Sequence, residues 1–230
     1  MKEAIILAGG YGKRLSAVVN DVPKPMAPVQ NKPFVEYLLD YLITFNIDHV
    51  VLSVGYMADV ITKYFGNKHK SLNITYAIEN EPLGTGGGIK LATSFLFGDK
   101  ALIINGDTYF NINIQTFEEF YDNKKAELLI ALKKLDNTSR YGLVNVDADN
   151  KIQGFTEKNP SLTTGYINGG IYLFDKQLLT DLPTKFSFEK DFMEKHHNTI
   201  KCYGLPFDNN FIDIGIPEDY KRVQTWKFQN

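Results

Sequence analysis

The chain has 230 residues, of which 43% are hydrophobic, and its formal net charge is −2 at pH 7. This composition suits a folded α/β chain with a sizeable core, and it argues against disorder and against a general affinity for nucleic acid. A single cysteine, Cys202, excludes an internal disulfide, and its apolar surroundings predict a structural thiol. We therefore expect one domain spanning 1–230 whose partners are small molecules.

The sequence carries no signal for export or membrane insertion. Residues 1–3 lead directly into a strand-like run, without the hydrophobic stretch and cleavage site of a signal peptide, and no spanning segment follows. Together with the lone cysteine, this predicts a cytoplasmic protein that does not contact a membrane.

A glycine-rich loop follows the first predicted strand. Residues 4–8 are apolar and predict that strand. Glycine lets the backbone turn sharply and brings bare N–H groups close to a ligand, an arrangement that suits phosphate. The glycines of the loop are Gly9, Gly10 and Gly12.

Three cations, Lys13, Arg14 and Lys24, accompany this loop. Pro23 and Pro25 flank Lys24 and fix the backbone φ on both sides of it. The spacing does not fit a Walker A loop, and the G-x-G-x-x-G fingerprint is incomplete because a leucine stands where the third glycine is required. An ordinary strand-to-helix turn with surface cations is the alternative, but the added cations favour a nucleoside triphosphate site.

Helices and strands then alternate along the chain. Apolar spacing predicts a helix at 33–43, a strand at 49–56, a helix at 58–65 and a strand at 74–78. This alternation predicts a parallel sheet covered by helices.

A second glycine-rich turn, Gly84–Gly88, precedes a predicted helix at 89–97. In a doubly wound sheet both glycine turns lie at the carboxyl edge of their strands, where ligands of such folds bind, so they could face one pocket. Because so many glycines cost helix stability, we expect something to approach their backbone. A permissive helix start is the alternative.

Two acids are candidate metal ligands. Asp107 ends a predicted strand at 101–107, and a carboxylate there points into the ligand crevice, where Mg²⁺ prefers oxygen ligands. An ordinary Asx turn is the alternative for Asp107. Asp213 lies in an apolar run before a predicted closing helix at 217–228, and carboxylates rarely occur in such runs without a partner.

The pattern becomes mixed in the second half of the chain. Small residues in Asn168-Gly169-Gly170 leave room for a bulky polar ligand such as a sugar, or simply form a bulge. The predicted elements are a helix at 114–123, a strand at 127–135, an antiparallel hairpin of 141–146 and 151–157, a strand at 165–175, a helix at 188–197 and a strand at 200–207.

Taken together, these motifs resemble the sugar-1-phosphate nucleotidyltransferases. The matching blocks run from Leu7 to Gly215 and comprise LAGGxGxRL, PKPM, EPLGTGG, NGD, EK, NGG and FIDIG. The resemblance implies a Rossmann-like three-layer α/β domain with a mainly parallel central sheet and a smaller antiparallel sugar-binding portion in the second half. It places the nucleotide-binding part at about 1–110 and the sugar-binding part at about 111–230. Within the family, residues 23–29, 55–56 and 83–88 are most similar to the D-glycero-α-D-manno-heptose 1-phosphate guanylyltransferases.

The resemblance also implies a reaction and a set of roles. A sugar 1-phosphate attacks the α-phosphorus of GTP in line, with Mg²⁺, to give a GDP-sugar and pyrophosphate. Because the nucleophile is already ionised, no catalytic Ser, Cys or His is required. Arg14 then holds the β- and γ-phosphates, Lys24 contacts the α-phosphate, and Asp107 and Asp213 hold Mg²⁺. On the nucleotide side the resemblance adds Leu7, Ala8, Gly9, Gly10, Gly12, Lys13, Leu83, Gly84, Thr85, Asn105 and Gly106. On the sugar-phosphate side it adds Gly142, Glu157, Lys158 and Asn168.

Several alternatives stay open from the sequence alone. The chain could be a uridylyl-, thymidylyl- or cytidylyltransferase acting on a hexose 1-phosphate, because base choice depends on few hydrogen bonds. It could also be a nucleotide-sugar-binding regulator without chemistry, although two metal carboxylates favour an enzyme. A dinucleotide-dependent oxidoreductase is disfavoured by the incomplete fingerprint. The sequence does not determine the oligomeric state.

Overall fold

The computed structural model describes residues 1–10, 12, 15, 19, 21–158 and 164–228. Its strands are β1 Glu3–Leu7, β2 Pro28–Val29, β3 Lys32–Pro33, β4 His49–Val54, β5 Lys68–His69, β6 Leu72–Ile78, β7 Lys100–Asn105, β8 Thr108–Phe110, β9 Leu128–Leu135, β10 Leu143–Val146, β11 Ile152–Thr156, β12 Gly165–Asp175, β13 Cys202–Phe207 and β14 Phe211–Asp213. Its helices are α1 Phe34–Thr44, α2 Ala58–Phe65, α3 Gly84–Thr93, α4 Ile114–Lys124, α5 Glu194–His196 and α6 Pro217–Val223. Short 3-10 turns lie at Lys24–Met26 and Lys176–Leu179, and a π-helical segment, Phe188–Met193, leads directly into α5.

One large sheet organises the described part of the chain. Ten strands join it in the order β11-β10-β12-β7-β1-β4-β6-β5, with β9 paired to β12 and β13 paired to β9. The strands β7, β1, β4 and β6 are mutually parallel, whereas β12 is antiparallel to both β7 and β9, and β10 is antiparallel to β11 and β12. The predicted parallel sheet with an antiparallel portion in the second half is confirmed.

Helices cover both faces of this sheet and give it three layers. Side chains of β1 alternate between two cores, since Ile6 belongs to one buried cluster and Ile5 to the other. The first cluster includes Leu38 of α1, and the second includes Ile89 of α3. The three-layer α/β fold expected from the sequence is therefore present.

Most predicted elements form within a few residues of their expected bounds, but α3 does not. It begins at Gly84, so the glycine run forms the first turns of the helix instead of preceding it. Chain segment 184–186 approaches this run closely: a Cβ on Gly86 would lie 2.2 Å from the Phe186 ring, and one on Gly87 would lie 2.2 Å from the Thr184 carbonyl oxygen. Tertiary packing thus overrides the weak helix propensity of glycine.

The closing helix is shorter than predicted, because α6 ends at Val223 instead of continuing to 228. Beyond it the chain packs on α1, where the Phe228 ring stacks on Tyr37 with 3.7 Å between centroids and meets Phe34 edge-on. Residues 226–228 are not helical, and the Phe228 side chain packs against the core.

Cys202 is buried in the second hydrophobic cluster. Burial of the Cys202 thiol raises its pKa to about 12, which confirms a structural and unreactive cysteine. Among the described residues, every helix is too short or too polar to cross a lipid bilayer.

Candidate active site

A cleft of about 600 Å³ opens at the carboxyl ends of β1, β4, β6 and β7. These ends lie side by side because Leu7 pairs with Ser53 on one neighbouring strand and with Asn105 on the other. Both glycine-rich segments border the cleft, as expected for a parallel sheet. The site residues predicted from sequence that line it are Leu7, Gly9, Gly10, Gly12, Lys24, Gly84, Thr85, Asn105, Gly106 and Asp107.

Lys24, Asp107 and Asp213 converge at one end of this cleft. The Nζ of Lys24 lies 2.5 Å from Oδ2 of Asp107 and 3.9 Å from Oδ1 of Asp213. The Lys24 side chain is only 10% exposed, so its ammonium lies in a largely enclosed position between two carboxylates. The predicted convergence of the two acids is therefore observed, around a cation that belongs to the protein.

Pairing of two short strands explains how Asp213 reaches Asp107. Strand β14 runs antiparallel to β8, with Asp213 opposite Thr108, the residue after Asp107. The Ile214 N–H also donates to the Asp107 carbonyl oxygen at 2.9 Å. Neither β8 nor this pairing was predicted, because a three-residue strand has too few positions to show periodicity.

Glycines shape the surroundings of Lys24. Gly12 has φ +58°, and a Cβ there would lie 2.9 Å from the Cβ of Lys24. A Cβ on Gly215 would lie 3.0 Å from Nζ of Lys24 and 2.7 Å from Oδ1 of Asp213. The two glycines therefore leave space for the lysine and its carboxylate partner, and the Gly215 N–H donates to the same Asp213 oxygen at 2.6 Å.

Glu79 is a cleft residue that the sequence analysis missed. It follows β6, and its Oε2 accepts the Leu83 N–H at 3.0 Å. A Cβ on Gly88 would lie 2.7 Å from its Oε1, and one on Gly9 would lie 3.0 Å from it, so both glycine segments make room for this carboxylate. The available signal was its position, because Glu79 directly follows the predicted strand at 74–78 and precedes the EPLGTGG block, which begins at Glu81.

The Gly84–Gly88 segment faces the cleft on one side and the protein on the other. The expectation that something approaches its backbone is met by segment 184–186, whose contacts with Gly86 and Gly87 are described above. Thr85 also contacts the residues that follow segment 184–186, since its hydroxyl donates to Glu189 at 2.7 Å and accepts the Phe188 N–H at 2.9 Å.

The predicted sugar-side residues lie outside the lining of this cleft as the described residues form it. Gly142 immediately precedes β10, and the exposed side chains of Glu157 and Lys158 follow β11. Asn168 lies on β12, where its Nδ2 donates to the Tyr172 hydroxyl at 2.8 Å.

Gly169 and Gly170 form a bulge and leave no open space for a sugar. The pairing register of β12 with β9 shifts between Asn168 and Tyr172. A Cβ on Gly169 would lie 2.5 Å from the Phe110 ring, and one on Gly170 would lie 2.8 Å from Nδ2 of Asn105. The interpretation of these glycines as ligand space was wrong, and the alternative of a bulge is confirmed.

The remaining predicted site residues are buried, partly buried or outside the described part of the chain. Ala8 is fully buried, and its N–H donates to the Ser53 carbonyl oxygen at 2.7 Å. Leu83 is partly buried and contacts Glu79 through its N–H. Lys13 and Arg14 lie outside the described residues.

Comparison with known proteins identifies the family. The nucleotidyl transferase family model matches residues 3–227. The chain belongs to the nucleotidyl transferase family. The family match agrees with the resemblance carried by the sequence motifs and with the α/β architecture of the sheet.

Two curated relatives match over nearly their full length. The D-glycero-alpha-D-manno-heptose 1-phosphate guanylyltransferase of Aneurinibacillus thermoaerophilus is 47% identical over 224 residues, covering 96% of each chain. The enzyme of the same name from Campylobacter jejuni is 43% identical over 220 residues, covering 95% of this chain and 96% of its own. Among solved structures, HddC from Yersinia pseudotuberculosis complexed with GMP-PN has a TM-score of 0.88 and 38% identity, covering 97% of this chain and 98% of that one.

Proposed function

We propose that this protein couples D-glycero-α-D-manno-heptose 1-phosphate with GTP, forming a GDP-heptose and releasing pyrophosphate. The convergence of Lys24, Asp107 and Asp213 at one end of a nucleotide-sized cleft carries the proposal. The names of its full-length relatives supply the sugar and the base, and HddC was solved in complex with GMP-PN.

The reaction is a displacement at phosphorus. An oxygen of the sugar 1-phosphate forms a bond to the α-phosphorus of GTP while the bond from that phosphorus to the bridging oxygen breaks, and pyrophosphate leaves with the electron pair. The chain has to align two anions and stabilise the charge that develops between them. The backbone of Gly9–Gly12 together with Arg14 holds the β- and γ-phosphates, and Lys24 contacts the α-phosphate.

Asp107 and Asp213 fit a divalent cation, because the Lys24 ammonium already stands in for a cation between their oxygens. When bound there, Mg²⁺ supplies positive charge to the phosphate oxygens and to the leaving pyrophosphate. The Lys24 ammonium has three donors, one of which is directed to Asp107 at 2.5 Å in this structure. In this scheme Lys24 turns toward the α-phosphate when the nucleotide binds.

The sugar side extends from the cleft onto the β10–β11 hairpin within one domain of two parts, about 1–110 and 111–230. Tyr172 lies where the two parts meet, since its hydroxyl accepts the Asn168 amide at 2.8 Å and the cleft residue Asn105 lies close to it. In this scheme Gly142 and Glu157 contact the sugar, and the exposed ammonium of Lys158 contacts its phosphate.

A pyrophosphate-release panel tests this function. Purified protein with Mg²⁺ is incubated with each of GTP, UTP, dTTP and CTP, crossed with heptose, mannose and glucose 1-phosphates. We expect the fastest release with GTP and the heptose 1-phosphate. Faster release with a pyrimidine nucleotide would replace the guanylyl assignment, and no release from any pair would indicate a binding protein.

Glu79 provides a prediction about the choice of base. Guanine presents adjacent N1–H and N2–H donors, and an ionised carboxylate, which only accepts, can pair with both. Glu79→Gln keeps an oxygen for the Leu83 N–H but turns one acceptor into a donor. We expect kcat/KM for GTP to fall at least about tenfold, because hydrogen bonds to charged groups contribute about 1.5–3 kcal/mol each.

The exposed carboxylate of Glu81, also at the cleft rim, provides the matched control. Glu81→Gln removes the same charge from the same loop, and we expect it to leave the ratio of GTP to UTP turnover within twofold of the unmodified protein. An unchanged ratio in Glu79→Gln, or an equal change in both variants, would contradict a base contact by Glu79.

A further inference from the structure

Away from the cleft floor, one buried carboxylate is held by two arginines. Asp219 of α6 has a side chain only 7% exposed. Its Oδ2 lies 2.7 Å from Nη2 of Arg140, and its Oδ1 lies 3.3 Å from Nη2 of Arg222. Each carboxylate oxygen therefore has its own guanidinium.

The two arginines come from different places in the chain. Arg222 lies one turn further along α6, so its contact with Asp219 is internal to that helix. Arg140 belongs to the loop before β10, and its contact joins segments that are 79 residues apart in sequence. The Arg140–Asp219 pair therefore fixes one part of the fold relative to another, whereas the Arg222–Asp219 pair does not.

Each end of the Arg140–Asp219 pair adjoins a part of the proposed site. Arg140 immediately precedes Tyr141 and Gly142, on the side proposed to receive the sugar. Asp219 follows the turn after β14, the strand that ends at Asp213, the proposed metal ligand. The pair thus joins the segment proposed to bind the sugar 1-phosphate to the segment that carries the proposed metal ligand.

A second contact holds the same two segments together. The Tyr141 ring meets the Phe211 ring edge-on with 6.5 Å between centroids, and Phe211 begins the strand that ends at Asp213. The Arg140 guanidinium lies 5.6 Å from the centre of the Tyr141 ring. Burial raises the pKa of the Tyr141 hydroxyl, and the nearby charge of Asp213 raises it further, which agrees with their proximity.

Net stability is a weak reason for this arrangement. Removing the Asp219 carboxylate from water costs much of what its ion pairs return, and the Arg140 side chain is 48% exposed, so the pair contributes little net stability. The pair instead fixes the orientation of the Arg140 loop relative to α6, because a planar guanidinium binds a carboxylate oxygen in a restricted geometry. A misplacement of about 1 Å between reacting groups can lower a rate about 100-fold.

We propose that Arg140 is a positioning residue, whose ion pair with Asp219 holds the Tyr141–Gly142 segment at a fixed place relative to Asp213 and so orients the sugar 1-phosphate for attack. The sugar-phosphate role of this segment rests on the proposed function. Arg140 itself contacts neither the nucleotide nor the metal ligands in this scheme.

The test compares Arg140→Ala with Arg222→Ala. Each variant removes one positive charge from the same carboxylate and leaves the other guanidinium in place. In Arg140→Ala we expect kcat/KM for the sugar 1-phosphate to fall at least tenfold, while the dissociation constant of GTP with Mg²⁺, measured by equilibrium dialysis, stays within twofold. In Arg222→Ala we expect both values to stay within twofold. Arg140→Lys keeps the positive charge but loses the planar guanidinium. Its kcat/KM for the sugar 1-phosphate should lie between the values of Arg140→Ala and the unmodified protein.

Equal effects in Arg140→Ala and Arg222→Ala would overturn the proposal, because the arginines would then only neutralise Asp219. The proposal would also be overturned if, in Arg140→Ala, the dissociation constant of GTP rose by as large a factor as kcat/KM for the sugar 1-phosphate fell.

Hydrogen exchange separates this proposal from the proposed function. Amides of residues 136–142 should exchange faster in Arg140→Ala than in Arg222→Ala, whichever substrates the unmodified protein uses. If the unmodified protein releases no pyrophosphate from any substrate pair, the proposed function fails while this measurement still decides whether Arg140 holds the loop. Equal exchange in both variants would reject the positioning role.

Discussion

Replacing Lys24 with alanine is expected to lower turnover about 100-fold or more, which is the usual cost of removing one group that stabilises charge in a transition state. The same variant should bind a divalent cation more tightly when no nucleotide is present. Lys24 places an ammonium 2.5 Å from Asp107 and 3.9 Å from Asp213, so in the free protein it competes with a metal ion for these carboxylates. One substitution therefore moves activity and metal affinity in opposite directions.

Two measurements check this prediction. Pyrophosphate release gives the turnover, and titration with Mn²⁺, followed by the electron paramagnetic resonance signal of the free ion, gives the metal affinity of the nucleotide-free protein. Lys100→Ala is the matched control, because Lys100 also pairs with two carboxylates, Glu118 and Asp122, but begins β7 at the end of the strand remote from the cleft. Unchanged turnover in Lys24→Ala would reject its role, and weaker Mn²⁺ binding would reject the competition.

The sequence predicted the parts of the site that depend on residue type and strand order. Asp107 and the two glycine segments follow predicted strands, and the carboxyl ends of parallel strands meet at one edge of a sheet. That argument placed them together correctly. It could not give the distance between Asp107 and Asp213, because that distance depends on the pairing of β8 with β14.

Glycine shows where reading the sequence alone is limited. A glycine indicates that something comes close to the backbone, but it does not say whether that neighbour is a ligand or the protein itself. At Gly86 and Gly170 the neighbours are Phe186 and Asn105. Such contacts join residues far apart in the chain, so local pattern could not distinguish them from an open subsite.

Glu79 was missed for a related reason. No local sequence pattern singles out its carboxylate. The structure does so, because Gly9 and Gly88 lie on either side of it. Asn168 illustrates the reverse case, since its amide contacts Tyr172 and lies outside the lining of the cleft described above. In both cases tertiary contacts, and not residue type, decide what the side chain can reach.

Asp213→Asn should lower turnover about 100-fold or more, as expected for loss of charge stabilisation at the reacting phosphate. It should also weaken metal binding, which is the opposite of the result expected for Lys24→Ala. Asparagine keeps the Oδ1 that accepts the Gly215 N–H at 2.6 Å, so the turn after β14 should hold while the negative charge is lost. A change in a residue that merely supports a metal ligand typically costs 10- to 100-fold in affinity, so loss of a ligand charge should cost at least about tenfold.

The measurements are the Mg²⁺ dependence of pyrophosphate release and the Mn²⁺ titration of the nucleotide-free protein. Asp122→Asn serves as the control, because it removes one charge from an ion pair with Lys100 at the opposite end of β7 and should shift neither curve. A Mg²⁺ curve for Asp213→Asn that matches the unmodified protein would remove Asp213 from the metal site. Opposite shifts of Mn²⁺ affinity in Lys24→Ala and Asp213→Asn, with turnover reduced in both, would show that lysine and metal share the same pair of carboxylates, because a general loss of folding would weaken Mn²⁺ binding in both variants.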